Sequence, residues 1–289
     1  MCRLFGLSSA PRRTVATFWL LDAPDSLSKQ SHHDPDGTGL GYFTRDGTPH
    51  VDKAPIAAYR DRAFAEDARQ VESTTFLAHI RFASTGGLEA RNTHPFEQDG
   101  RLFAHNGVIE GLDRLDDHLG RDRAPAMGDT DSERFFALIT RETRDHGGDV
   151  GAGIEHAARW IARNLPVYAL NLILTTPDQM WALRYPDTHE LYVLERPPGG
   201  HHGTRHLDHS GSDGHLRVHS TELAGHSSVV VASERIDDNP HWRLMDPGEL
   251  LHVGPGPHTT RRAILPDPPS HQLTLDDLRP EAAASQKTA

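Results

Sequence analysis

The single cysteine of this chain is its second residue, Cys2, which directly follows Met1. Removal of Met1 would leave a free α-amine beside the thiol. An amine of pKa about 8 can take the proton from a thiol of pKa about 8.5. Such a residue can attack a carbonyl carbon without a histidine partner. Because cysteine also occurs at position 2 without any catalytic role, the position alone indicates no more than a candidate nucleophile.

Two charged side chains could bind the two ends of an amino acid. Arg81 ends a run of strand-forming residues, and its guanidinium can bind a carboxylate through two hydrogen bonds. Asp131 begins a helical pattern, where its carboxylate could receive an ammonium group. Each has a simpler interpretation. Arg81 could be an exposed strand residue, and Asp131 a first-turn acid between Thr130 and Glu133, which have capping-box spacing.

Asn106 and Gly107 lie between two apolar runs. An Asn-Gly pair in that setting is typical of a hairpin turn. Alternatively, the Asn106 amide and the Gly107 backbone N–H supply two donors for a developing oxyanion. A nucleophile, oxyanion donors, a cation and an anion together describe an α-amino acid with a side-chain carbonyl. Glutamine, or another small γ-glutamyl compound, fits that description.

The elements that position these residues follow from the apolar patterns. Strands are predicted at residues 3–7, 39–44, 75–82, 101–105, 167–175, 180–185, 190–195, 229–233 and 249–253. Helices are predicted at residues 14–29, 112–119, 132–145 and 153–164. The strands come in adjacent clusters rather than in strict alternation with helices. This favours an α+β sandwich of antiparallel sheets over a doubly wound parallel sheet.

Composition and charge argue against several classes of partner. The formal net charge of -11 argues against nucleic acid or an anionic membrane as the main partner. A single cysteine cannot form an internal disulfide or a cysteine-based zinc cluster, and it fits a reducing compartment. The sequence has no apolar run of the length expected for a signal peptide or a membrane span. We therefore expect a cytoplasmic protein without a membrane partner.

Three regions are predicted along the chain. Residues 1–265 form one domain, residues 197–226 are a histidine- and glycine-rich loop inserted in it, and residues 266–289 are a poorly ordered tail. The loop contains His-x-x-x-His pairs, but none of them lies on a convincing predicted helix. They therefore predict a solvated loop rather than a metal site.

Five segments of the sequence resemble the motifs of class II glutamine amidotransferase domains, in order and roughly in spacing. They lie at residues 1–6, 81–86, 92–96, 105–107 and 130–133. The resemblance covers approximately residues 1 to 260. It implies membership of the N-terminal nucleophile hydrolases, whose fold is a four-layer αββα sandwich with two antiparallel sheets between helical layers.

The resemblance also implies a role for each candidate residue. Cys2 looks like the nucleophile, with its own α-amine as general base. Asn106 and Gly107 would form the oxyanion hole, Arg81 would bind the glutamine α-carboxylate, and Asp131 would bind the α-amino group. No metal ion or organic cofactor is required. Phe82 and residues 84–86 depart from the sugar-phosphate branch of the family.

The leading functional hypothesis is hydrolysis of the side-chain amide of glutamine through a γ-glutamyl thioester on Cys2. One alternative is a hydrolase for a larger γ-glutamyl conjugate, similar to the enzyme of ergothioneine biosynthesis. A second is a glutamine sensor that binds without turnover. Because the sequence shows no acceptor domain, a third is an ammonia supplier for a separate synthase subunit.

Overall fold

The computed structural model describes residues 2–82, 87–198, 209–210, 217–218 and 225–286. The strands in these ranges are β1 (Arg3–Ser8), β2 (Gly37–Phe43), β3 (Pro49–Ala54), β4 (Thr75–Arg81), β5 (Phe96–Gln98), β6 (Arg101–Ile109), β7 (Val167–Thr175), β8 (Met180–Leu183), β9 (Tyr192–Arg196), β10 (His209–Ser210), β11 (Arg217–Val218), β12 (Ser228–Ala232), β13 (Arg243–Leu244), β14 (Glu249–Val253) and β15 (Thr259–Ala263). The α-helices are α1 (Leu27–Gln30), α2 (Arg62–Gln70), α3 (Leu112–Leu119), α4 (Asp131–Asp145), α5 (Val150–Asn164) and α6 (Pro280–Gln286).

Two antiparallel sheets contain nearly all of these strands. The first has the order β13-β9-β12-β1-β4-β2-β3, and the second has the order β15-β14-β8-β7-β6-β5. Strand β1 lies in the middle of the first sheet, between β12 and β4. The strand that follows Cys2 therefore lies in the interior of a sheet rather than at an edge.

Alternate side chains of β1 face two different layers. Phe5 and Leu7 pack in the core shared with the helices that precede β2 and β4. Leu4 packs in the core between the two sheets. A Cβ on Gly6 would lie 2.8 Å from the Met180 sulfur of the second sheet, so only glycine permits the sheets to approach this closely.

Strand β7 shows the same division in the second sheet. Leu170, Leu172 and Leu174 pack against α3, α4 and α5, whereas Ile173 faces the first sheet. Helices therefore cover the outer face of each sheet, and apolar side chains fill the space between the sheets. The predicted α+β four-layer sandwich with two antiparallel sheets is confirmed.

The structure has no hairpin turn at Asn106-Gly107, which was the simpler of the two interpretations of this pair. Strand β6 does not end at His105 but continues through Ile109. Along β7, Asn106 lies opposite Asn171, and Gly107 lies opposite Leu170. Pairing with a strand about 60 residues later therefore overrides the local turn preference of the dipeptide.

The single helix predicted over residues 14–29 is also wrong. The structure has a short π-helical segment at Phe18–Asp22 and then the one-turn helix α1. Pro24 lies between them, and proline has no N–H to donate to a preceding helical carbonyl. The apolar positions Phe18, Trp19 and Leu20 are nevertheless buried, which explains the helix-like pattern.

The tail also differs from the sequence prediction. Residues 266–286 are not irregular throughout, since they contain helix α6, and Leu273, Leu278 and Ala282 are buried against the body of the protein. Most of the predicted histidine-rich loop, namely residues 199–208, 211–216 and 219–224, lies outside the described residues. None of the helices in the described ranges combines the length and the apolar character needed to cross a membrane.

Candidate active site

Cys2 lies directly before β1, and hydrogen bonds at Leu4 hold this strand to the segment after β12. The Leu4 N–H donates to Ser233 Oγ at 3.0 Å, and the Ser233 N–H donates to the Leu4 carbonyl at 3.1 Å. The Cys2 thiol lies against Phe82, whose N–H donates to Sγ at 3.2 Å, and the thiol faces the Phe82 carbonyl at 3.4 Å. The cysteine side chain is thereby held beside the end of β4.

Burial raises the pKa of the Cys2 thiol above its ordinary value. The Phe82 N–H and the nearby Arg81 guanidinium oppose this rise, and the Asp34 carboxylate adds to it. The thiol is thus mainly protonated at neutral pH in this structure. A proton acceptor is therefore needed at the moment of attack.

A buried ion-pair group lies directly behind the cysteine. Arg3 is almost completely buried, and its guanidinium contacts Asp34 at 3.5 Å and Glu234 at 2.7 Å. None of these residues was assigned a role from the sequence. The available signal was Arg3 itself, a charged residue in an otherwise apolar predicted strand. An arginine buried there requires carboxylate partners.

Arg81 ends β4 and is 4% exposed. Its Nη1 donates to the Gly87 carbonyl at 3.0 Å, so one part of the guanidinium holds the chain just after the strand. Asn92 connects the same segment to the loop before α4, because its Oδ1 accepts from the Asp129 N–H at 3.1 Å. Arg81 is therefore a buried residue of the cavity wall rather than an exposed strand residue.

Asn106 reaches across from the second sheet to the nucleophile. Its Nδ2 donates to the Cys2 carbonyl at 3.0 Å. An amide nitrogen carries two hydrogens, so this bond leaves one for another acceptor. The Asn106 Oδ1 is buried and has no hydrogen-bond partner among the described residues.

Gly107 is required for a steric reason. A Cβ at this position would lie 1.9 Å from the Ala169 carbonyl oxygen of β7. Strand β5 pairs with β6 only up to Phe103, and the Leu170 N–H donates to Tyr185 rather than across to Gly107. Strand β7 approaches Gly107 closely on one side. On the other side, no strand among the described residues pairs with it, so this glycine can line the cavity.

Asp131 connects β6 to α4. Its Oδ2 accepts from the Ile109 N–H and its Oδ1 from the Ser132 N–H, both at 2.9 Å. The predicted capping box is half formed. Thr130 Oγ1 accepts from the Glu133 N–H at 3.2 Å, whereas the Glu133 carboxylate accepts from two backbone N–H groups before the helix. Asp131 therefore has a structural function whether or not it binds a ligand.

Three buried histidines that the sequence analysis left without a role line the same cavity. His105 contacts Ser132 Oγ at 3.0 Å and the Ala169 carbonyl at 3.2 Å. The rings of His79 and His94 lie 4.3 Å apart, and none of their four nitrogens has a partner among the described residues. Burial lowers the pKa of His79 to about 3 and that of His94 well below 6.5, so both are neutral at pH 7. His94 and His105 lie inside resembling motifs and His79 lies two residues before one, and these positions were the available signal.

The five predicted site residues meet at one cavity. Its lining consists of Cys2, His79, Arg81, Phe82, Asn92, His94, His105, Asn106, Gly107, Thr130, Asp131, Ser132 and Gln286. Residues from both sheets, from the start of α4 and from the C-terminal helix therefore converge on the thiol. The presence of Gln286 was not predicted.

Two other features are separate from this cavity. A larger surface cavity of about 620 Å³ lies between the start of α5 and strands β8 and β14, and it contains none of the predicted residues. Glu142 of α4, His146 directly after α4 and His156 of α5 place possible metal-ligand atoms within 4.8 Å of one another. There, however, His146 Nδ1 already bonds the Glu142 carbonyl at 2.7 Å. Among the described residues, neither feature contacts Cys2 or the other residues of its cavity.

The chain is similar to known proteins over most of its length. The family model "Glutamine amidotransferases class-II" matches residues 1–273. The chain is 32% identical to gamma-glutamyl-hercynylcysteine sulfoxide hydrolase of Mycobacterium tuberculosis, over 88% of this chain and 93% of that protein. It is 25% identical to a putative glutamine amidotransferase of Haemophilus influenzae, over 87% and 83% of the two chains.

Solved structures share the fold. The glutamine phosphoribosylpyrophosphate amidotransferase of B. subtilis superposes with a TM-score of 0.63 at 16% identity, over 92% of this chain and 50% of that one. A class II domain protein from Silicibacter pomeroyi gives a TM-score of 0.58 at 18% identity, over 92% of this chain and 100% of that one. With the family match over almost the whole chain, these findings establish that the protein belongs to the class II glutamine amidotransferases, an enzyme family with the N-terminal nucleophile hydrolase fold.

Proposed function

We propose that this protein hydrolyses a γ-glutamyl amide bond, with Cys2 as the nucleophile after Met1 is removed. The observation that carries the proposal is the meeting of Cys2, Arg81, Asn106, Gly107 and Asp131 at one buried cavity. These groups match a substrate that has a carbonyl to attack, an α-carboxylate and an α-ammonium group. Glutamine is the simplest such substrate.

The reaction would proceed in two halves. The α-amine of Cys2 takes the thiol proton, and Sγ forms a bond to the γ-carbonyl carbon. The oxyanion accepts hydrogen bonds from the second Asn106 Nδ2 hydrogen and from the Gly107 N–H. The C–N bond then breaks, and the α-ammonium returns its proton to the departing nitrogen. Water next attacks the thioester, giving its proton to the α-amine, and release of glutamate restores the thiol.

The raised pKa of the Cys2 thiol supports this role for the amine. Because burial disfavours the thiolate, the thiol proton needs an acceptor close to Sγ when the carbonyl is attacked. The bond from Asn106 to the Cys2 carbonyl fixes the position of the nucleophile's backbone. Arg81 and Asp131 would bind the two charged ends of the glutamyl group, as the family resemblance implies.

The test is glutamate release by the full chain after its mass shows that Met1 is absent. Cys2→Ala should abolish release from glutamine and γ-glutamyl amides, whereas its circular dichroism spectrum should remain that of the native protein. The matched control is Ala10→Gly, which changes a small buried residue two positions beyond the end of β1. Full activity in the Cys2→Ala protein would overturn the mechanism.

A larger γ-glutamyl conjugate is the second candidate substrate. One observation favours it: two relatives named gamma-glutamyl-hercynylcysteine sulfoxide hydrolase align over 88% of this chain and over 93% and 96% of their own lengths. A panel of γ-glutamyl amides with increasing leaving-group size separates the two substrates by kcat/KM. If none is hydrolysed but glutamine binds, the protein is a sensor. Glutaminase activity only with a co-purified synthase would indicate an ammonia-supplying subunit.

A further inference from the structure

Helices α4 and α5 approach each other closely near the end of α4. A Cβ on Gly153 of α5 would overlap the Thr143 side chain of α4, so only glycine permits this approach. Apolar residues of both helices pack in one core on the outer face of the second sheet. The relative position of the two helices at this point is therefore fixed by their packing.

This packing brings together three side chains that have metal-binding atoms. His156 lies three residues after Gly153 and thus on the same side of α5. The centre of its ring is 4.0 Å from that of His146, the residue directly after α4. Glu142 lies one turn earlier, and its Oε2 is 3.9 Å from His146 Nδ1. Two imidazoles and one carboxylate are thereby held together by two rigid helices, a favourable setting for a binding site.

The two ring nitrogens of His146 have different roles. Nδ1 lies 2.7 Å from the Glu142 carbonyl, which can only accept a hydrogen bond, so Nδ1 carries the proton. In the neutral ring Nε2 then keeps its lone pair and is available to a metal ion. Metal-binding histidines commonly use their second ring nitrogen to donate to a carbonyl in this way. The bond to Glu142 therefore orients His146 as a ligand rather than preventing it from binding a metal.

The Glu142 carboxylate is also held in place. Its Oε1 accepts from Arg141 Nη2 at 2.7 Å, which leaves Oε2 on the side of His146. The side chains of Glu142 and His146 are 17% and 32% exposed, and His156 is exposed, so an ion from solvent can reach all three. The backbone carbonyls at the end of α4 add a dipole that favours a cation here.

Only small side-chain movements are needed to complete a metal site. The candidate ligand atoms lie within 4.8 Å of one another. Zinc bonds to nitrogen and oxygen are about 2.0–2.2 Å long, which places the ligand atoms of a tetrahedral site about 3.3 Å apart. Rotations that move these atoms by about 1 Å bring them to that spacing, and surface side chains make such movements readily.

We propose that Glu142, His146 and His156 bind one Zn²⁺ ion, which links the end of α4 to α5. Two imidazoles and a carboxylate suit Zn²⁺, whereas Mg²⁺ and Ca²⁺ prefer ligand sets made of oxygen atoms. Three protein ligands leave a fourth position for water. An ion that binds the folded chain in this way also stabilises it. The site shares no residue with the cavity beside Cys2, so the inference does not depend on the proposed function.

Isothermal titration of the full chain with ZnCl₂ tests the site. Because the chain has 21 histidines and one cysteine, the informative quantity is the difference between matched variants. His146→Ala and His156→Ala should each remove one bound Zn²⁺ or weaken its binding by about 100-fold or more, since loss of an outer partner of a ligand already costs 10- to 100-fold. His33→Ala, which removes an exposed histidine far along the chain, should bind Zn²⁺ as the wild type does.

Thermal unfolding provides a second measurement. Saturating Zn²⁺ should raise the Tm of the wild type and of His33→Ala more than that of His156→Ala, and EDTA should abolish the difference. Unchanged Zn²⁺ binding in both His146→Ala and His156→Ala overturns the site. Loss of binding in only one of them also overturns it, because the ion would then not link the two helices. An equal rise in Tm with Mg²⁺ overturns it as well, since neutralisation of the net negative charge would explain the effect.

Discussion

The two sheets supply their site residues in different ways. Cys2 and Arg81 lie at strand ends of the first sheet, where Cys2 precedes β1 and Arg81 closes β4. Asn106 and Gly107 lie inside β6 of the second sheet, opposite residues of β7. A side chain at a strand end can change with little effect on strand pairing, whereas an interior residue serves the fold and the site together. Substitutions in the second sheet should therefore reduce stability as well as activity.

Gly107→Ala should have the largest effect. The new Cβ would lie 1.9 Å from the Ala169 carbonyl, which is a backbone atom that cannot move without displacing β7. We expect a loss of at least about 4 kcal/mol in the free energy of unfolding, or no folded protein. Urea unfolding followed by circular dichroism measures this. Gly254→Ala is the control, because the nearest atom to its Cβ would lie 3.8 Å away. If the two variants are equally stable, site residues inside strands do not contribute more to stability than site residues at strand ends.

The second prediction concerns His79, which lies in the interior of the first sheet. Its ring is neutral in the folded protein down to about pH 3, whereas in the unfolded chain it binds a proton below pH 6.5. The unfolded state therefore gains protons first, and stability falls as the pH falls. The contribution lost between pH 6.5 and pH 4 is about 3 kcal/mol.

The free energy of unfolding of His79→Gln, measured across that pH range, should show a correspondingly shallower acid loss. His33→Gln, which changes an exposed histidine, serves as the control and should follow the wild-type profile. Parallel profiles for wild type and His79→Gln would show that the buried ring does not set the acid sensitivity. A shallower profile for His79→Gln would show that a site residue inside a strand of the first sheet also contributes to stability. Position inside a strand, rather than the choice of sheet, would then decide which site residues affect stability.

Strands with a strong local apolar pattern could be predicted from the sequence, whereas a strand end that depends on a distant contact could not. Strand β7 matches its prediction residue for residue, because a run of apolar residues buried on both faces is a strong local signal. The end of β6 was missed because Asn106-Gly107 has strong local turn chemistry. The Ala169 carbonyl that requires glycine there belongs to a strand about 60 residues away. Local patterns cannot report such a contact.

The same limit applies to the candidate site. The identities of Cys2, Arg81 and Asp131 were accessible because each combines a chemically suited side chain with a predicted element boundary. Gln286 was not accessible, because the tail has no sustained apolar periodicity. Its docking depends on a few side chains, such as Leu278, that fit a surface formed by distant strands. Composition alone therefore predicted a disordered tail where the structure has a helix at the cavity.

Asp131→Asn should have an intermediate effect. The carboxylate accepts from the Ile109 and Ser132 N–H groups through different oxygens, and an amide can replace only one of these acceptors. We expect a loss of about 1–3 kcal/mol in the free energy of unfolding. Asp113→Asn is the matched control, since Asp113 is a first-turn acid of α3 that is exposed.

The kinetics of Asp131→Asn separate its two roles. If Asp131 also binds the substrate ammonium, KM for a γ-glutamyl amide rises in this variant at a temperature where it is fully folded. An unchanged KM with reduced stability would assign the residue to the connection between β6 and α4 alone. A stability equal to that of the Asp113→Asn control would show that the bond to Ile109 contributes little.

Arg81→Lys should have the smallest effect on stability. A lysine keeps the charge and can retain one hydrogen bond to the Gly87 carbonyl, so we expect a change of less than about 1 kcal/mol. It loses the planar fork that binds a carboxylate through two bonds, so KM for a γ-glutamyl amide should rise by about tenfold or more. Arg261→Lys, in the exposed edge strand β15, should change neither quantity. Arg81→Lys could instead destabilise the protein more than Asp131→Asn does while KM stays constant. The Arg81 guanidinium would then hold the chain after β4 rather than the substrate, and Arg81 would serve the fold as the residues inside strands do.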